Sequence, residues 1–244
     1  MQLRLSAWLG LGLGIVLAGT ASATPIVIDD FSTSQSLSVT GGNGPATTDG
    51  GVAAGAIGGA RNMRLSRVSG YGTDTLTANG GGFGLLDLSS AAADSVSARL
   101  TYDGGTDNVL TPTGLGGVDL TSGGSNSLIR ILARSDLVAP LTITVYTDSG
   151  NFSTAIVNLP GQGFGATPFS SLDIPFSSFL ADSGTGANFQ SVGAISVGIF
   201  GANVPSLDAQ LDSIVATVPE PGTLLLLATG LGGLALTGRR RTVH

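Results

Sequence analysis

The stretch Leu141-Thr-Ile-Thr-Val-Tyr-Thr147 places Leu141, Ile143 and Val145 at every second position, with hydroxyl-bearing residues between them. That is the period of a β-strand, so the three apolar side chains share one face and the polar ones share the other. The rhythm returns at 194–200 and 207–215, whereas the 3.6-residue period of an amphipathic helix is almost absent. Further short runs of this kind lie at 25–31, 36–40, 62–69, 73–78, 83–88, 95–102, 127–133 and 152–159, each bounded by clusters of Gly, Ser, Thr, Asn and Asp. Period two with one polar face describes antiparallel sheet packed on a core from one side. About eleven short strands over roughly 190 residues predict an all-β fold, an antiparallel β-sandwich of jelly-roll-like type. The glycine-rich stretches 40–59 and 103–124 read as loops, because glycine at that density is costly to hold in regular structure.

What the chain lacks narrows its chemistry further. It has no cysteine and no lysine, its one histidine is His244 and its one tryptophan is Trp8. A body without Cys, His or Lys holds no disulfide framework, Ser-His-Asp triad, Cys-His pair, Schiff-base lysine or histidine zinc site. Paired aspartates are the remaining catalytic option, and the expectation is that the protein is not an enzyme. From Thr24 to Pro221 six arginines face 16 acidic residues, a net charge of −10. A field of that sign argues against nucleic acid or an anionic membrane surface as partner. Arg61, Arg64 and Arg67 form a local cluster, read as a solvated strand face or as partners for nearby aspartates rather than an anion site.

Both termini read as addresses rather than fold. Arg4, the apolar run 8–18 and the small residues Ala21-Ser22-Ala23 make residues 1–23 a secretory signal peptide, cleaved after Ala23. At the other end Pro219-Glu220-Pro221 contains the only glutamate of the chain. It precedes 17 uncharged residues, 222–238, and then Arg239-Arg240-Arg241. As a helix those 17 residues span about 25 Å, near the lower limit for a single transmembrane crossing, with the arginines stopping on the cytoplasmic side. The prolines keep the segment before the helix extended and accessible. The domain reading is therefore signal peptide 1–23, β-sandwich body 24–218 and sorting signal 219–244.

This tripartite order resembles the PEP-CTERM sorting signal of Gram-negative bacteria, over about a tenth of the chain. The resemblance implies an exosortase as processing partner and a host that makes an exopolysaccharide matrix. It also implies export across the inner membrane, transient anchoring by the C-terminal helix, and delivery to the cell surface or extracellular matrix. In the body, Ile28-Asp-Asp-Phe31, Leu172-Asp-Ile-Pro-Phe-Ser-Ser-Phe179 and Leu211-Asp-Ser-Ile214 look like the jelly-roll domains of the galactose-binding-like type, in which the first and last strands pair.

If those strands are neighbours, Asp29, Asp30, Asp208 and Asp212 would meet, and their hard oxygens would make a calcium site. Against this stands their use as strand-end caps and outward polar positions. Calcium is the one candidate cofactor. Asp103-Gly-Gly-Thr-Asp107-Asn108 has the composition of a calcium loop without its spacing and reads as a turn. Tyr71, Tyr102 and Tyr146 are the body's only tyrosines, and its phenylalanines read as core, so a stacking platform for sugars is missing. The expected role is an exported, exosortase-processed protein, structural or adhesive in an exopolysaccharide or biofilm layer. The alternatives are a calcium-dependent carbohydrate-binding module and an aspartate-only glycosidase.

Overall fold

The structure, a computed structural model, describes residues 24–42, 44–163 and 168–219. Ala21, Ala23, Glu220, Pro221, the apolar segment 222–238 and Arg239, Arg240 and Arg241 lie outside the described residues. Among the described residues no helix is long and apolar enough to cross a membrane.

In chain order the strands are β1 (Ile26–Asp29), β2 (Gln35–Thr40), β3 (Ala46–Ala53), β4 (Ala60–Ser69), β5 (Thr73–Ala78), β6 (Leu86–Ser89) and β7 (Ser95–Tyr102). Then come β8 (Leu128–Ser135), β9 (Pro140–Tyr146), β10 (Phe152–Asn158), β11 (Ser170–Pro175), β12 (Leu180–Ser183), β13 (Ala194–Phe200) and β14 (Ala209–Thr217). They form two antiparallel sheets of seven strands each. The first runs β11-β8-β14-β6-β5-β2, with β1 also paired to β14; the second runs β12-β10-β9-β13-β7-β4-β3. The all-β sandwich is as the alternation predicts.

The core lies between the sheets. Leu141, Ile143 and Val145 of β9 are fully buried, as are Ile195 of β13 and Leu211 and Ile214 of β14. Burying each such side chain is worth about 1.5–3 kcal/mol. In β14 the buried series Ala209, Leu211 changes phase to Ile214, Ala216, because a bulge sits between Leu211 and Ser213. The bulge adds a residue and restores the inward face beyond it.

First and last strands do pair, with Ile26 opposite Ala216 and Val27 opposite Val215. The Asn126 amide donates to the Thr24 carbonyl at 3.3 Å, and Ser127 N donates to the Thr217 carbonyl at 2.9 Å. The two ends of the body thus leave the same sheet side by side.

Three strands depart from the sequence reading. Residues 40–59 are not one long loop, because β3 pairs with β4 in unbroken register from Ala46–Arg67 to Ala53–Ala60. The strands β11 and β12 were likewise unmarked by alternation. All three are edge strands of their sheets. An edge strand is held by one neighbour's hydrogen-bond ladder and needs little apolar rhythm of its own.

Candidate functional site

Strand β4 shows how the outward faces are made. Arg61, Met63, Leu65 and Arg67 alternate inward and are buried, while Asn62, Arg64 and Ser66 point to the other side, where Asn62 is buried against the loop after β7. The expected arginine cluster is therefore split by the pleat. Arg61 pairs with Asp29, Arg67 with Asp74 and Asp94, and only Arg64 lies on a solvated face, 2.9 Å from Asp49.

The outer face of the second sheet carries the candidate site. Register sets Asp49, Arg64, Arg99, Gly198, Thr142 and Ile156 in one row across six strands. The next row runs Gly51, Asn62, Thr101, Ser196, Thr144 and Thr154. Hydroxyl-bearing residues fill four of the six places in this second row, and hydroxyls on the face pair laterally, Thr47 with Ser66 at 3.2 Å and Thr144 with Thr154 at 3.0 Å.

On this face the Phe200 ring is folded back over Gly198 and is 48 % exposed. A Cβ at residue 198 would sit 2.8 Å from the ring, so the ring can rest there only because that position is glycine. Arg64, Ser66, Ser97, Ala98, Arg99 and Phe200 enclose a hollow of about 230 Å³. One wall of the neighbouring groove is the loop after β7. The Asn62 amide donates to the Gly105 carbonyl at 2.9 Å, and Asn108 N donates to Asn62 Oδ1 at 3.3 Å. Asp103 turns that loop by accepting from Gly105 N and Thr111 N. Burial pushes the Tyr146 phenol, on the same face, above its usual value, with the Arg99 charge opposing it.

A larger hollow, about 620 Å³, lies beside Tyr71 and residues 91–94. Its carboxylate, Asp94, is already committed to Tyr71 N, Gly72 N and Arg67, so it offers a ligand little.

The sequence-predicted aspartates are not brought together. Asp29 is buried and accepts from Arg61, the Tyr102 hydroxyl and Phe31 N. Asp30 is exposed, and the Ser32 hydroxyl and amide beside it hold its carboxyl below the ordinary carboxylate value. Asp208 accepts from Ser90 N at 3.0 Å, beside β6, and Asp212 occupies the β14 bulge. The reason is that β14 takes two partners in succession on one edge, β6 at 209–211 and β1 at 214–216. Asp208 therefore belongs to the β6 end and Asp29 to the β1 end. Among the described residues no three acidic or histidine side chains converge as metal ligands. Pro219 is the last described residue of the sorting motif.

Arg99, Gly198 and Phe200 were not singled out from sequence, and Phe200 is not core as the phenylalanines were read. The signal was present. Alternation in β13 puts Phe200 on the side opposite Ile195, Val197 and Ile199, and alternation in β7 puts Arg99 opposite Val96, Ala98 and Leu100.

Residues 217–241 match the PEP-CTERM protein-sorting motif, which indicates export and exosortase-mediated sorting toward the cell surface of a Gram-negative bacterium. No curated protein matches the chain in sequence. Among solved structures the chain is similar to the family 11 carbohydrate-binding module of the cellulosomal cellulase Lic26A-Cel5E of Clostridium thermocellum. The identity is 11%, over 81% of this chain and 97% of that one, with a TM-score of 0.38. The solution structure of CtCBM11 gives 14% identity over 82% and 98%, with a TM-score of 0.40. The TmCBM61 complex with beta-1,4-galactotriose gives 10% over 71% and 88%, with a TM-score of 0.29. At these TM-scores the likenesses assign no residue and no ligand to this chain.

Proposed function

We propose that the protein is an exosortase-processed surface or matrix component whose body binds glycan without catalysis, an adhesive element of an exopolysaccharide layer. The observation that carries this reading is the outer face of the second sheet. A half-exposed aromatic ring lies beside outward arginines and a row rich in hydroxyls, on a platform of paired strands. An aromatic face accepts the apolar C–H face of a sugar, while arginine and threonine side chains serve its hydroxyls. The placement suits an anchored or released adhesin: both ends of the body leave from β1 and β14 in the first sheet, and the site is on the outside of the second.

The test is co-sedimentation of the processed protein, recovered from its host, with that host's purified exopolysaccharide, with and without Phe200→Ala. Saturable binding that the substitution weakens supports the reading. Equal recovery of both forms, or none of either, sinks it. Peptide mapping of the carboxy terminus of the same material should show a chain ending near Pro221, and one still ending at His244 would remove the sorting half of the proposal.

A further inference from the structure

The arginines of the body are treated unequally. Arg61, Arg64, Arg67 and Arg130 each have a carboxylate within ion-pair distance, and Arg134 donates to Gln210 at 2.8 Å and stacks on the Phe169 ring at 4.7 Å. Among the described residues Arg99 has no ion pair and no side-chain hydrogen bond. It is exposed, and it stands directly opposite Arg64 in the β4–β7 register. Like charges in that position repel, which costs stability unless something answers them. Asp49 answers one of the two. The second positive charge has no ion-pair partner among the described residues, in a body whose net charge is −10.

The surroundings of that charge are specific. Arg99, Arg64 and the flat face of Phe200 border the same hollow of about 230 Å³, with Ser66 and Ser97 beside them. Gly198, in the same row as Arg99, contributes no side chain, and the Phe200 ring fills the space this leaves beside Arg99. A guanidinium presents a planar fork of donors that matches a carboxylate or sulfate in two parallel hydrogen bonds. An aromatic plane next to it matches a sugar ring. A neutral sugar would use the ring but leave the unanswered charge unanswered.

We infer that the Arg64–Arg99–Phe200 hollow takes an anionic sugar, a carboxylated or sulfated unit of a polysaccharide. This rests on the glycan-binding reading of the same face and names its ligand class. The acid group lies on Arg99, with Arg64 held in place by Asp49, and the ring lies on Phe200. The negative field of the rest of the body opposes every polyanion, so contact of the sugar ring with Phe200, and not charge alone, has to make the ligand.

The experiment is titration calorimetry on the processed protein and its Arg99→Gln and Phe200→Ala forms, each checked for an unchanged melting temperature. The probes are oligogalacturonate, its methyl-esterified neutral counterpart, dextran sulfate, unmodified dextran, and polyglutamate as a polyanion without sugar. The expected result is binding to oligogalacturonate or dextran sulfate, with the carboxylated or sulfated arm identifying the acid group. Binding should weaken with salt and fall roughly tenfold or more in Arg99→Gln, as loss of a charge-assisted hydrogen bond predicts. Phe200→Ala should weaken it as well. Equal affinity for charged and neutral sugars, unchanged by Arg99→Gln, overturns the anionic assignment and leaves the glycan reading standing. Polyglutamate binding as tightly as the sugars, with Phe200→Ala silent, overturns both. Silence with every probe overturns the anionic-sugar assignment, and the host exopolysaccharide then decides the broader reading alone.

Discussion

The inward face of β4 begins and ends with a buried arginine, and the two are solvated by protein in different ways. Arg61 and Arg67 stand six residues apart, roughly 20 Å along the strand. At the first, every nitrogen is engaged: Nε donates to Gln35 at 3.0 Å, Nη1 to both Asp29 oxygens, and Nη2 to the Thr33 carbonyl at 2.6 Å. The Phe31 ring lies 5.7 Å away. The Asp29 carboxylate is completed by Phe31 N at 2.8 Å and the Tyr102 hydroxyl at 3.0 Å. At the second, Nη1 and Nη2 donate to the Gly72 and Gly41 carbonyls, while Asp74 and Asp94 both stand off at 3.6 Å. Arg67 Nε and Asp74 Oδ2 have no hydrogen-bond partner. A buried ion pair stabilises only when its remaining donors and acceptors are also satisfied. Two guanidinium groups on one strand at similar depth thus make a closed network at one end and leave a donor and an acceptor over at the other.

That contrast is broken most directly by Asp29→Ala, which strands Arg61 as an uncompensated buried charge. The expected loss is about 3–5 kcal/mol in urea unfolding. A loss under about 1 kcal/mol would mean that the network adds little and that the two ends are equivalent. Tyr102→Phe is milder, since Arg61 and Phe31 N still hold the carboxylate. Burial and the Asp29 charge push the phenol well above its usual 10.0, so it remains a donor across the accessible pH range. Removing that donor from an ionised acceptor should cost about 1.5–3 kcal/mol.

At the other end, Gly70→Ala sharpens the comparison. Gly70 has φ +125°, and a Cβ there would fall 1.9 Å from Asp94 Oδ1. The backbone conformation alone should cost about 1–3 kcal/mol. The melting temperature should drop, and a neutral result would show that the Asp94 loop yields freely.

How much of this was legible in the sequence follows from what alternation encodes. Leu141, Ile143 and Val145 declared their strand and its buried face, and the sandwich came with them. Edge strands did not declare themselves: Asp49, Gly50 and Gly51 of β3 carry no rhythm, because their place is set by the ladder to β4. The arginine triplet was visible, but spacing of three crosses the pleat, so two went inside and one outside. Asp29 was noticed for its charge and read toward calcium. Its real partner, Arg61, lies 32 residues away and meets it only through inter-sheet packing. The Arg99–Phe200 face was recoverable only once β7 and β13 were known to be neighbours, since it is a property of register across strands rather than of any one run.

The smallest expected effect is also the one with a distinctive sign. Burial raises the Asp74 carboxyl above the ordinary 3.8, opposed by the hydrogen bond from Ala91 N; the Asp94 charge adds to the rise and Arg67 counters it. With the folded value raised, the folded state holds its proton where the unfolded chain has released it. Asp74 therefore costs nothing below about pH 3.8 and destabilises progressively as pH rises from there through its folded value. Asp173 runs the other way. The hydrogen bonds from Arg130, at 2.7 and 2.8 Å, outweigh burial and hold its carboxyl low, so its contribution is present above 3.8 and lost as pH falls through its folded value. Asp74→Asn should then be within about 1 kcal/mol of the parent at neutral pH, since an amide oxygen still accepts from Ala91 N and Arg67 retains Asp94. Relative to the parent it should gain stability as pH rises above about 3.8, over the interval in which the parent's folded carboxyl ionises. Asp173→Asn, run alongside, should instead show its full deficit against the parent above about pH 3.8, closing as pH falls through the parent's folded value. If urea midpoints across that range show Asp74→Asn falling as Asp29→Ala does, Asp74 is a full partner of Arg67, and the asymmetry between the two ends of β4 disappears.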